Sequence, residues 1–391
     1  MVIKPANKDL LTRGVSEIIP DKNSFEKLLG KRKIRLYLGI DPTGGRLHLG
    51  HTINLLKLQE FAESGHEAIL VIGTGTVIVG DPSQREEARK KISAQEIQEN
   101  IKTWKRQAGK ILDFKKVKIK KNGDWLLKLN YPEIVNIASN ITAPHLFQRD
   151  NFQKRIQRGD TVWYHETMYP LMQGYDSVVL DVDLEIGGTD QLFNMLVGRE
   201  LQRKINNREK YVLTSPMILG TDGKQMSKTS GNCIWIEDSP KDMFGKVMSM
   251  PDEFIFDYFE LVTRMPVEKI EEMKKSNANP KDLKAMLGKE IVKMYHSEKA
   301  AESAAEEFER VFKNKELPSD IQKTDIKEKE LNILDLLVRT KLAGSKSEAK
   351  RLVVQGGVRI NQELKKDWRE QIKITPGLIV QIGRRKFVKL A

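Results

Sequence analysis

Two histidines in the stretch YLGIDPTGGRLHLGHTIN, residues 37–54, have the type and spacing of a phosphate-binding pair. His48 and His51 stand three positions apart, just before a run with the apolar spacing of a helix. At the N-terminus of a helix, two such imidazoles lie on one side, where the helix dipole already favours anions. They can donate to a reacting phosphate and stabilise the charge that develops on it. A metal site with Asp41 as a third ligand, or plain surface histidines, are alternatives that this spacing leaves open.

A second group of residues that could do chemistry lies in GTDGKQMSKTSGN, residues 220–232. Its glycines and serines predict a mobile loop, and Lys224 and Lys228 give that loop two ammonium groups. Such groups can neutralise a pyrophosphate leaving group and then release it as the loop moves. A solvated basic loop without a ligand is the alternative interpretation.

Two aspartates follow predicted strands. Asp81 lies in the stretch GDPSQR, which also carries Arg85, and Arg89 follows four positions later. Asp190 lies in the stretch GGTD, between a predicted strand and a predicted helix. Backbone amides and the helix dipole converge at such a corner and favour phosphate, and an aspartate there can accept hydrogen bonds from ribose hydroxyls. This corner is therefore a candidate nucleotide site.

The elements that must position these residues alternate between strand and helix. Apolar and β-branched patterns predict strands at residues 34–40, 68–72, 177–180 and 184–186. The first strand has period two and places Tyr37, Gly39 and Asp41 on one side. Helical spacing follows His51 and also the GGTD stretch. Such βαβ units predict an α/β fold with a parallel sheet.

The second half of the chain has a different character. Residues 239–312 have helical spacing, and residues 313–330 are polar and charged with a proline, which predicts a linker. Residues 331–391 predict two short helices, a Gly-Gly turn and a strand, and hold 14 Lys/Arg against five Asp/Glu. That surplus of nine positive charges, out of +13 for the chain, indicates a polyanionic partner. A basic surface that only confers solubility is the alternative.

Length and composition exclude several classes of protein. The 391 residues exceed one ordinary core, so two or three domains are expected. With 39% apolar and 31% charged residues, and with neither a bilayer-length apolar run nor a signal-peptide core at the N-terminus, we expect a cytoplasmic protein with no membrane partner. The single cysteine, Cys233, excludes an intrachain disulfide and a multi-cysteine zinc site.

The motifs together resemble one enzyme family. The H-x-G-H turn, and the M-S-K-T loop beyond a GGTDQ helix, are similar to the HIGH and KMSKS signatures of class I aminoacyl-tRNA synthetases. GDPS, YPLMQGYD at residues 169–176, and GGTDQ resemble the bacterial tyrosyl-tRNA synthetase family, and the basic tail resembles an S-four-type RNA-binding domain. The resemblance implies a Rossmann-like parallel-sheet catalytic domain, an α-helical anticodon-side domain, a linker and a small α+β RNA-binding domain, at residues 1–232, 233–312, 313–330 and 331–391.

This resemblance implies a two-step reaction. L-Tyrosine and ATP, which carries its own Mg²⁺, give tyrosyl-adenylate and pyrophosphate, and tyrosine then passes to the 3′ end of tRNA(Tyr). Because the attacking carboxylate is already ionised, positioning and charge stabilisation matter more than a general base. A homodimer without a protein-bound metal is implied as well.

The family's functional residues carry over onto matching positions. The resemblance implies catalytic roles for His48, His51, Thr43 and Lys228, and ATP contacts for Gly50, Asp41, Gly188, Asp190, Lys228 and Thr229. For tyrosine it implies that Tyr37 and Asp176 hold the phenol, that Asp81, Tyr169 and Gln173 hold the ammonium, and that Gln191 lies beside the carboxylate. Tyr169, Gln173 and Asp176 also fall at i, i+4 and i+7, which predicts a single helix stripe along one pocket.

Two positions depart from the family pattern and leave rival functions to test. In the loop of residues 220–232, called the lysine loop below, Gln225 stands where the family signature usually begins with lysine, and Lys224 lies one place earlier. Gln84 follows GDPS at a position where glycine is common. Arg85 and Arg89 are assigned either to phosphate or acceptor-stem contacts or to a solvated helix face. The rivals are a tryptophanyl-type synthetase, an adenylyltransferase of small metabolites, and an RNA-binding paralogue with impaired catalysis.

Overall fold

The computed structural model describes residues 9–83, 92–226, 231–312, 321–383 and 386–391. The chain forms two compact units, Met1–Ala301 and Glu302–Ala391. The predicted boundary between residues 232 and 233 lies inside the first unit, which holds both the parallel sheet and most of the helices that follow it.

A six-stranded sheet forms the centre of the first unit. Its strands are β1 (Glu17–Ile19), β2 (Arg35–Ile40), β3 (Glu67–Ile72), β4 (Val117–Lys121), β5 (Leu184–Gly188) and β6 (Tyr211–Ser215), in the order β1-β6-β5-β2-β3-β4. β1 runs antiparallel to β6, and all other neighbours are parallel. The chain order reverses between β2 and β5, and a crevice opens at the carboxyl ends of the strands at such a point. The predicted α/β fold with a parallel sheet is confirmed.

Helices cover this sheet and continue beyond it. They are α1 (Lys22–Lys31), α2 (Leu49–Glu63), α3 (Thr76–Val79), α4 (Ala94–Ala108), α5 (Gly123–Leu126), α6 (Tyr131–Ala138), α7 (Ala143–Phe147), α8 (Asp150–Arg158), α9 (Tyr164–Leu180), α10 (Leu192–Asn206), α11 (Pro240–Ser249), α12 (Ile255–Val262), α13 (Val267–Lys275), α14 (Pro280–Tyr295) and α15 (Glu298–Phe312). The helical character predicted for residues 239–312 is therefore confirmed. No helix in the described ranges is long and apolar enough to cross a membrane.

The strand predicted at residues 177–180 is wrong, because these residues form the last turn of α9. Val178 and Leu180 are buried, and Val178 packs in a cluster with Val197 and Leu201 of α10. Burial against a neighbouring helix outweighs the strand preference of β-branched residues. The two helices approach closely, since a Cβ added to Gly174 of α9 would lie 3.0 Å from the Cα of Gly198 in α10.

The second unit begins within α15 and then contains two short helices and two small sheets. Its elements are β7 (Gln322–Thr324), β8 (Glu330–Asn332), α16 (Ile333–Arg339), α17 (Lys346–Val354), β9 (Val358–Ile360), β10 (Glu363–Lys365), β11 (Gln371–Lys373), β12 (Ile379–Ile382) and β13 (Lys386–Leu390). The strand orders are β10-β9-β12-β13-β7 and β11-β8. The predicted pair of helices, Gly-Gly turn and strand are all present, at α16, α17, residues 356–357 and β9.

The segment predicted as a linker differs in part. Residues 313–320 lie outside the described residues, but β7 pairs in parallel with β13 and belongs to the main sheet of this unit. Strand β8 also begins inside the segment and pairs with β11. A three-residue strand of polar side chains, Gln-Lys-Thr, carries no apolar alternation, so sequence patterns do not indicate it.

Candidate active site

A cavity of about 320 Å³ lies at the carboxyl ends of the central strands, where the chain order reverses. Most of the residues predicted for the site line it, although they come from separate parts of the chain. They are Asp41, Thr43, His48, Gly50, His51, Asp81, Tyr169, Gln173, Asp176, Gly188, Asp190 and Gln191. Lys228, Thr229, Arg85 and Arg89 lie outside the described residues.

The two histidines stand at the N-terminus of α2, as their spacing predicts. His48 is the N-cap residue, and its Nδ1 accepts from the backbone N–H of Gly50 at 3.2 Å. The Nδ1 of His51 accepts from the backbone N–H of His48 at 3.2 Å, and the two rings lie 3.8 Å apart. A neutral imidazole that accepts at Nδ1 carries its proton on Nε2. Both histidines are therefore set up as Nε2–H donors beside the positive end of the helix dipole.

Glycine at position 50 fits the crowding around the pair. A Cβ added there would lie 3.0 Å from the Nδ1 of His48 and 3.7 Å from the sulfur of Met226. The sulfur of Met226 therefore lies close to Gly50, which stands between the two histidines. Gln225 and Met226 line the same cavity, and the side chain of Asn232 donates to Asp222 at 2.8 Å and to the carbonyl of Gln225 at 3.0 Å.

Asp41 is held at the end of β2 by two hydroxyl groups. Its Oδ1 accepts from Thr76 at 2.6 Å, and its Oδ2 accepts from the phenol of Tyr169 at 3.0 Å. Gly73 leaves room for this carboxylate, since a Cβ there would lie 1.8 Å from its Oδ1. Burial, with the charge of Asp41 second, raises the pKa of Tyr169 well above its usual value, so Tyr169 remains a hydrogen-bond donor.

A second group of polar side chains surrounds Gln191. Its Nε2 donates to Asp81 at 2.9 Å, to Asp190 at 3.0 Å and to the hydroxyl of Ser83 at 3.3 Å. The guanidinium of Arg149, 5% exposed, lies 3.5 Å from the carboxylate of Asp81. Sequence reasoning missed Arg149, because it stands in a polar stretch that carries no motif.

The far end of the cavity is formed around Asp176, which lies on α9 in one stripe with Tyr169 and Gln173. Asp176 is buried and accepts from the indole N–H of Trp125 at 2.8 Å and from the amide of Asn122 at 3.1 Å. Burial first, with the charges of Glu185 and Asp41 adding to it, raises the pKa of Asp176 well above its usual value despite these two bonds. Neither Asn122 nor Trp125 was predicted.

Tyr37 is the predicted tyrosine ligand that the structure does not place among the residues lining the cavity. It is fully buried beside Ile69 and Val71 and does not line the cavity. Its hydroxyl lies 2.9 Å from that of Ser177. Residue Glu185 of β5, by contrast, lines the cavity, although sequence reasoning missed it. A charged residue inside the apolar stretch LEIGG was the signal that could have found it.

The arrangement has two chemically distinct ends. The imidazole N–H groups at the α2 terminus suit phosphate oxygens. The carboxylates of Asp81 and Asp190 suit a cationic or hydroxyl-bearing ligand, and the buried carboxyl group of Asp176 suits a hydroxyl. Among the described residues, no group of three or more His, Cys, Asp or Glu side chains is arranged to hold a metal ion.

Two family models match the chain and together cover most of it. Residues 29–313 match the model for class I tRNA synthetases (W and Y). Residues 312–388 match the model for the tyrosine–tRNA ligase SYY-like C-terminal domain.

Curated relatives match over nearly the whole chain. A tyrosine–tRNA ligase of Thermotoga maritima is 43% identical over 98% of this chain and 96% of its own length. One from Moorella thermoacetica is 41% identical, with 97% and 94% covered. The chain therefore belongs to the class I tRNA synthetases of the W and Y type, and within that class its matching curated relatives are tyrosine–tRNA ligases.

Solved structures show the same fold at lower identity. A C-terminally truncated mitochondrial tyrosyl-tRNA synthetase of Aspergillus nidulans superposes with a TM-score of 0.68 at 21% identity, covering 78% of this chain and 93% of that one. The tyrosyl-tRNA synthetase of Archaeoglobus fulgidus, in complex with L-tyrosine, gives 0.61 at 22% identity, with 76% and 98% covered. These likenesses establish the fold of the chain.

We predict that Asp176 makes the folded protein less stable as pH rises. A carboxyl whose native pKa is raised keeps a proton that the unfolded chain loses above about pH 4, so stability is greatest below that pH and falls above it. Asp176→Asn removes this dependence. Its free energy of unfolding relative to the parent should rise with pH, by at most about 1.4 kcal/mol per pH unit. Denaturant unfolding at a series of pH values measures the difference, and a flat difference would contradict the raised pKa.

Proposed function

We propose that the chain is a tyrosine–tRNA ligase that activates L-tyrosine with ATP and transfers it to the 3′ end of tRNA(Tyr). The observation that carries the proposal is a single cavity with a histidine pair at a helix N-terminus and a buried aspartate, Asp176, at its far end. Such a cavity has room for a phenol at one end and a triphosphate at the other. ATP enters as substrate with Mg²⁺ on its phosphates, and we assign no resident metal to the protein.

The histidine pair serves the first chemical step. An oxygen of the tyrosine carboxylate attacks the α-phosphorus of ATP, and the bond from that phosphorus to the bridging oxygen breaks, so pyrophosphate leaves with the electron pair. The Nε2–H groups of His48 and His51 donate to phosphate oxygens as charge develops. We assign Thr43 to the same phosphates. Lys228 and Thr229 are assigned to the leaving pyrophosphate on the basis of the motif alone.

The nucleotide is assigned to the corner between β5 and α10. Asp190 has the right chemistry to accept from ribose hydroxyls, and Gly50 leaves space beside the histidines for adenine. A Cβ added to Gly188 would lie 2.4 Å from the carboxylate of Asp190, so a side chain there would displace that carboxylate. Asp41, fixed by Thr76 and Tyr169, forms the wall on the side of β2.

Tyrosine is assigned to the wall of the cavity formed by α9. Asp176 takes the phenol hydroxyl, while Asp81, Tyr169 and Gln173 surround the ammonium, and Gln191 can donate to the carboxylate. Tyr37 stays a predicted phenol ligand, but its hydroxyl contacts Ser177, so Asp176 carries the larger share of the assignment.

The second step requires a tRNA, and the second unit supports this part of the proposal. A hydroxyl of the terminal ribose attacks the tyrosyl carbonyl, the ester forms, and AMP leaves. The basic residues of the tail suit the phosphates of an RNA. We also propose a cytoplasmic location, where ATP and tRNA are present and a single thiol stays reduced.

A panel of amino acids in ATP–pyrophosphate exchange tests the proposed activity. We expect tyrosine to support exchange and phenylalanine and tryptophan to fail, because a buried carboxyl left without a hydroxyl partner costs binding energy. Exchange with tryptophan would favour the tryptophanyl-type alternative. No exchange, with tRNA binding retained, would favour an RNA-binding paralogue and overturn the proposal.

His48→Ala tests the catalytic role of the histidine pair in the same exchange assay. It should lower the exchange rate by about 10²–10³, the usual effect of losing one donor to a developing negative charge, with little change in tyrosine affinity. His48→Asn keeps a side chain that caps the helix, so a loss in both variants separates catalysis from folding.

We predict that removing residues 321–391 spares tyrosine-dependent exchange and weakens tRNA charging by at least tenfold. The cut must precede β7, because β7 pairs with β13 and would otherwise be left without its sheet. The Km for tRNA and the exchange rate are measured on the same preparation. Equal loss of both activities would show that the second unit is needed for the fold of the first.

We propose a homodimer, supported by an exposed apolar face on α6 and the turn before it. Leu127, Tyr131 and Val135 are 64%, 79% and 47% exposed, and Tyr131 and Val135 share one helix face. Tyr131→Arg should convert the protein to a monomer in analytical ultracentrifugation. Val354→Arg, at an exposed valine of the second unit, is the control. A parent protein that sediments as a monomer would contradict this proposal.

A further inference from the structure

A buried ion pair lies at the wall of the cavity, which Glu185 lines and Lys210 does not. Lys210, just before β6, is 0% exposed, and Glu185 on β5 is 1% exposed. The ammonium of Lys210 donates to the Oε2 of Glu185 and, at 2.8 Å, to the hydroxyl of Ser177. Such a pair loses its hydration on burial, and apolar residues in its place are often equally or more stabilising. Its presence therefore needs a reason other than stability.

The other oxygen of Glu185 reaches a residue assigned to the substrate. The Nε2 of Gln173 donates to the Oε1 of Glu185 at 3.1 Å. Because the Oε1 of Glu185 is the acceptor in this bond, the NH₂ group of Gln173 is turned toward Glu185. The Oε1 of Gln173 then points the other way, where the amide of Asn194 donates to it at 3.1 Å. Asn194 is buried and also donates to Gln191 at 2.9 Å.

The direction of this amide matters for the ligand. A substrate ammonium has three donors and no acceptor, so it can bind the Oε1 of Gln173 and would be repelled by the Nε2. The two orientations of the Gln173 amide have the same shape, so the surrounding hydrogen bonds determine which one is adopted. Lys210 donates to the Oε2 of Glu185, and the Oε1 of Glu185 accepts from Gln173, which selects the orientation whose Oε1 faces away from Glu185.

The surrounding backbone makes room for the pair. A Cβ added to Gly198 of α10 would lie 2.7 Å from the Nζ of Lys210 and 3.1 Å from the hydroxyl of Ser177. In the sheet, Glu185 is the register partner of Tyr37, so the pair lies next to the strand that ends in Asp41. The ion pair is thus enclosed by a helix that has a glycine where the ammonium group sits.

We propose that Lys210 and Glu185 are positioning residues for amino-acid recognition: they fix the amide of Gln173 so that its Oε1 faces the α-ammonium of the substrate. This inference rests on the proposed function, which assigns Gln173 to that ammonium. It extends the site to two buried residues that do not touch the substrate ammonium themselves.

The test compares three ligands that differ in one group. Tyrosine carries both ammonium and carboxylate, tyramine lacks the carboxylate, and 3-(4-hydroxyphenyl)propanoate lacks the ammonium. In Glu185→Gln, the new amide can donate to Gln173 and let it reverse. We expect the Kd of tyrosine and tyramine, measured by calorimetry on the full chain, to rise about tenfold or more. The Kd of the propanoate should change by no more than about twofold, and the Km for ATP should stay the same.

Lys210→Met should give the same ligand pattern, because an unpaired buried carboxyl takes up a proton and can then donate to Gln173. The double variant Glu185→Gln with Lys210→Met restores charge balance in the core, so it keeps the test valid if either single variant fails to fold. It too should lose the preference for ligands that carry an ammonium.

Glu166→Gln is the matched control, on α9, the helix that carries Gln173. Glu166 is buried and paired with the buried Arg155 at 2.7 Å, and it accepts hydrogen bonds from the guanidinium of Arg155 and the backbone N–H of Trp163. This change should lower stability and leave the ratio of tyramine to propanoate affinity unchanged. If Glu185→Gln weakens all three ligands equally, the pair is only structural and the inference is overturned.

Gln173→Ala separates the inference from the proposal beneath it. If this variant weakens tyramine but Glu185→Gln does not, the positioning role is overturned and the ammonium assignment stands. If Gln173→Ala leaves tyramine binding unchanged, the assignment of Gln173 is wrong and the inference falls with it. If both variants lose the preference for ligands that carry an ammonium, the positioning role and the assignment of Gln173 are both supported.

Discussion

The parallel pairing of β2 with β5 is the constraint on which the site depends. Its register sets Leu36 beside Leu184 and Leu38 beside Ile186, so both strands end at the same edge of the sheet. The turn before α2 and the corner before α10 therefore open into one crevice, although some 140 residues separate them in sequence. The histidines, the aspartate of GGTDQ and the α9 stripe could not share a cavity without this pairing, because each is fixed to an element that the sheet positions.

Local geometry explains why much of the site could be predicted. The positions of His48 and His51, and of Tyr169, Gln173 and Asp176, follow from spacing within one helix, and a helix turns that spacing into a shared face. Asn122 and Trp125 could not be found in this way. They follow β4, and only the sheet order brings them to Asp176, so their role depends on long-range contacts. The last turn of α9 was mistaken for a strand, since its burial against α10 is also a long-range effect.

One part of the cavity favours negatively charged ligand groups, and another part favours positively charged ones. At the N-terminus of α2, backbone dipole and imidazole N–H groups favour the phosphates, which carry negative charge. Across the cavity, the carboxylates of Asp41, Asp81 and Asp190 each accept hydrogen bonds from neutral donors, namely Thr76, Tyr169, Ser83 and Gln191. These neutral donors hold the carboxylates in place without adding positive charge, whereas the guanidinium of Arg149, 3.5 Å from Asp81, offsets part of the negative charge at that position.

A buried charge inside an apolar strand is where sequence pattern and fold conflict most directly. The stretch LEIGG predicts a buried strand, yet Glu185 places a carboxylate in its middle, and its partner Lys210 stands 25 positions later before the next strand. Replacing such a pair by apolar residues would be neutral or stabilising by about 1–4 kcal/mol in comparable cases. Conflicts of this kind are expected where function outweighs stability. Here the function is a hydrogen bond that Glu185 accepts from Gln173, through which the pair sets the direction of one amide and so affects ligand binding. Neither composition nor motif spacing can predict the direction of an amide.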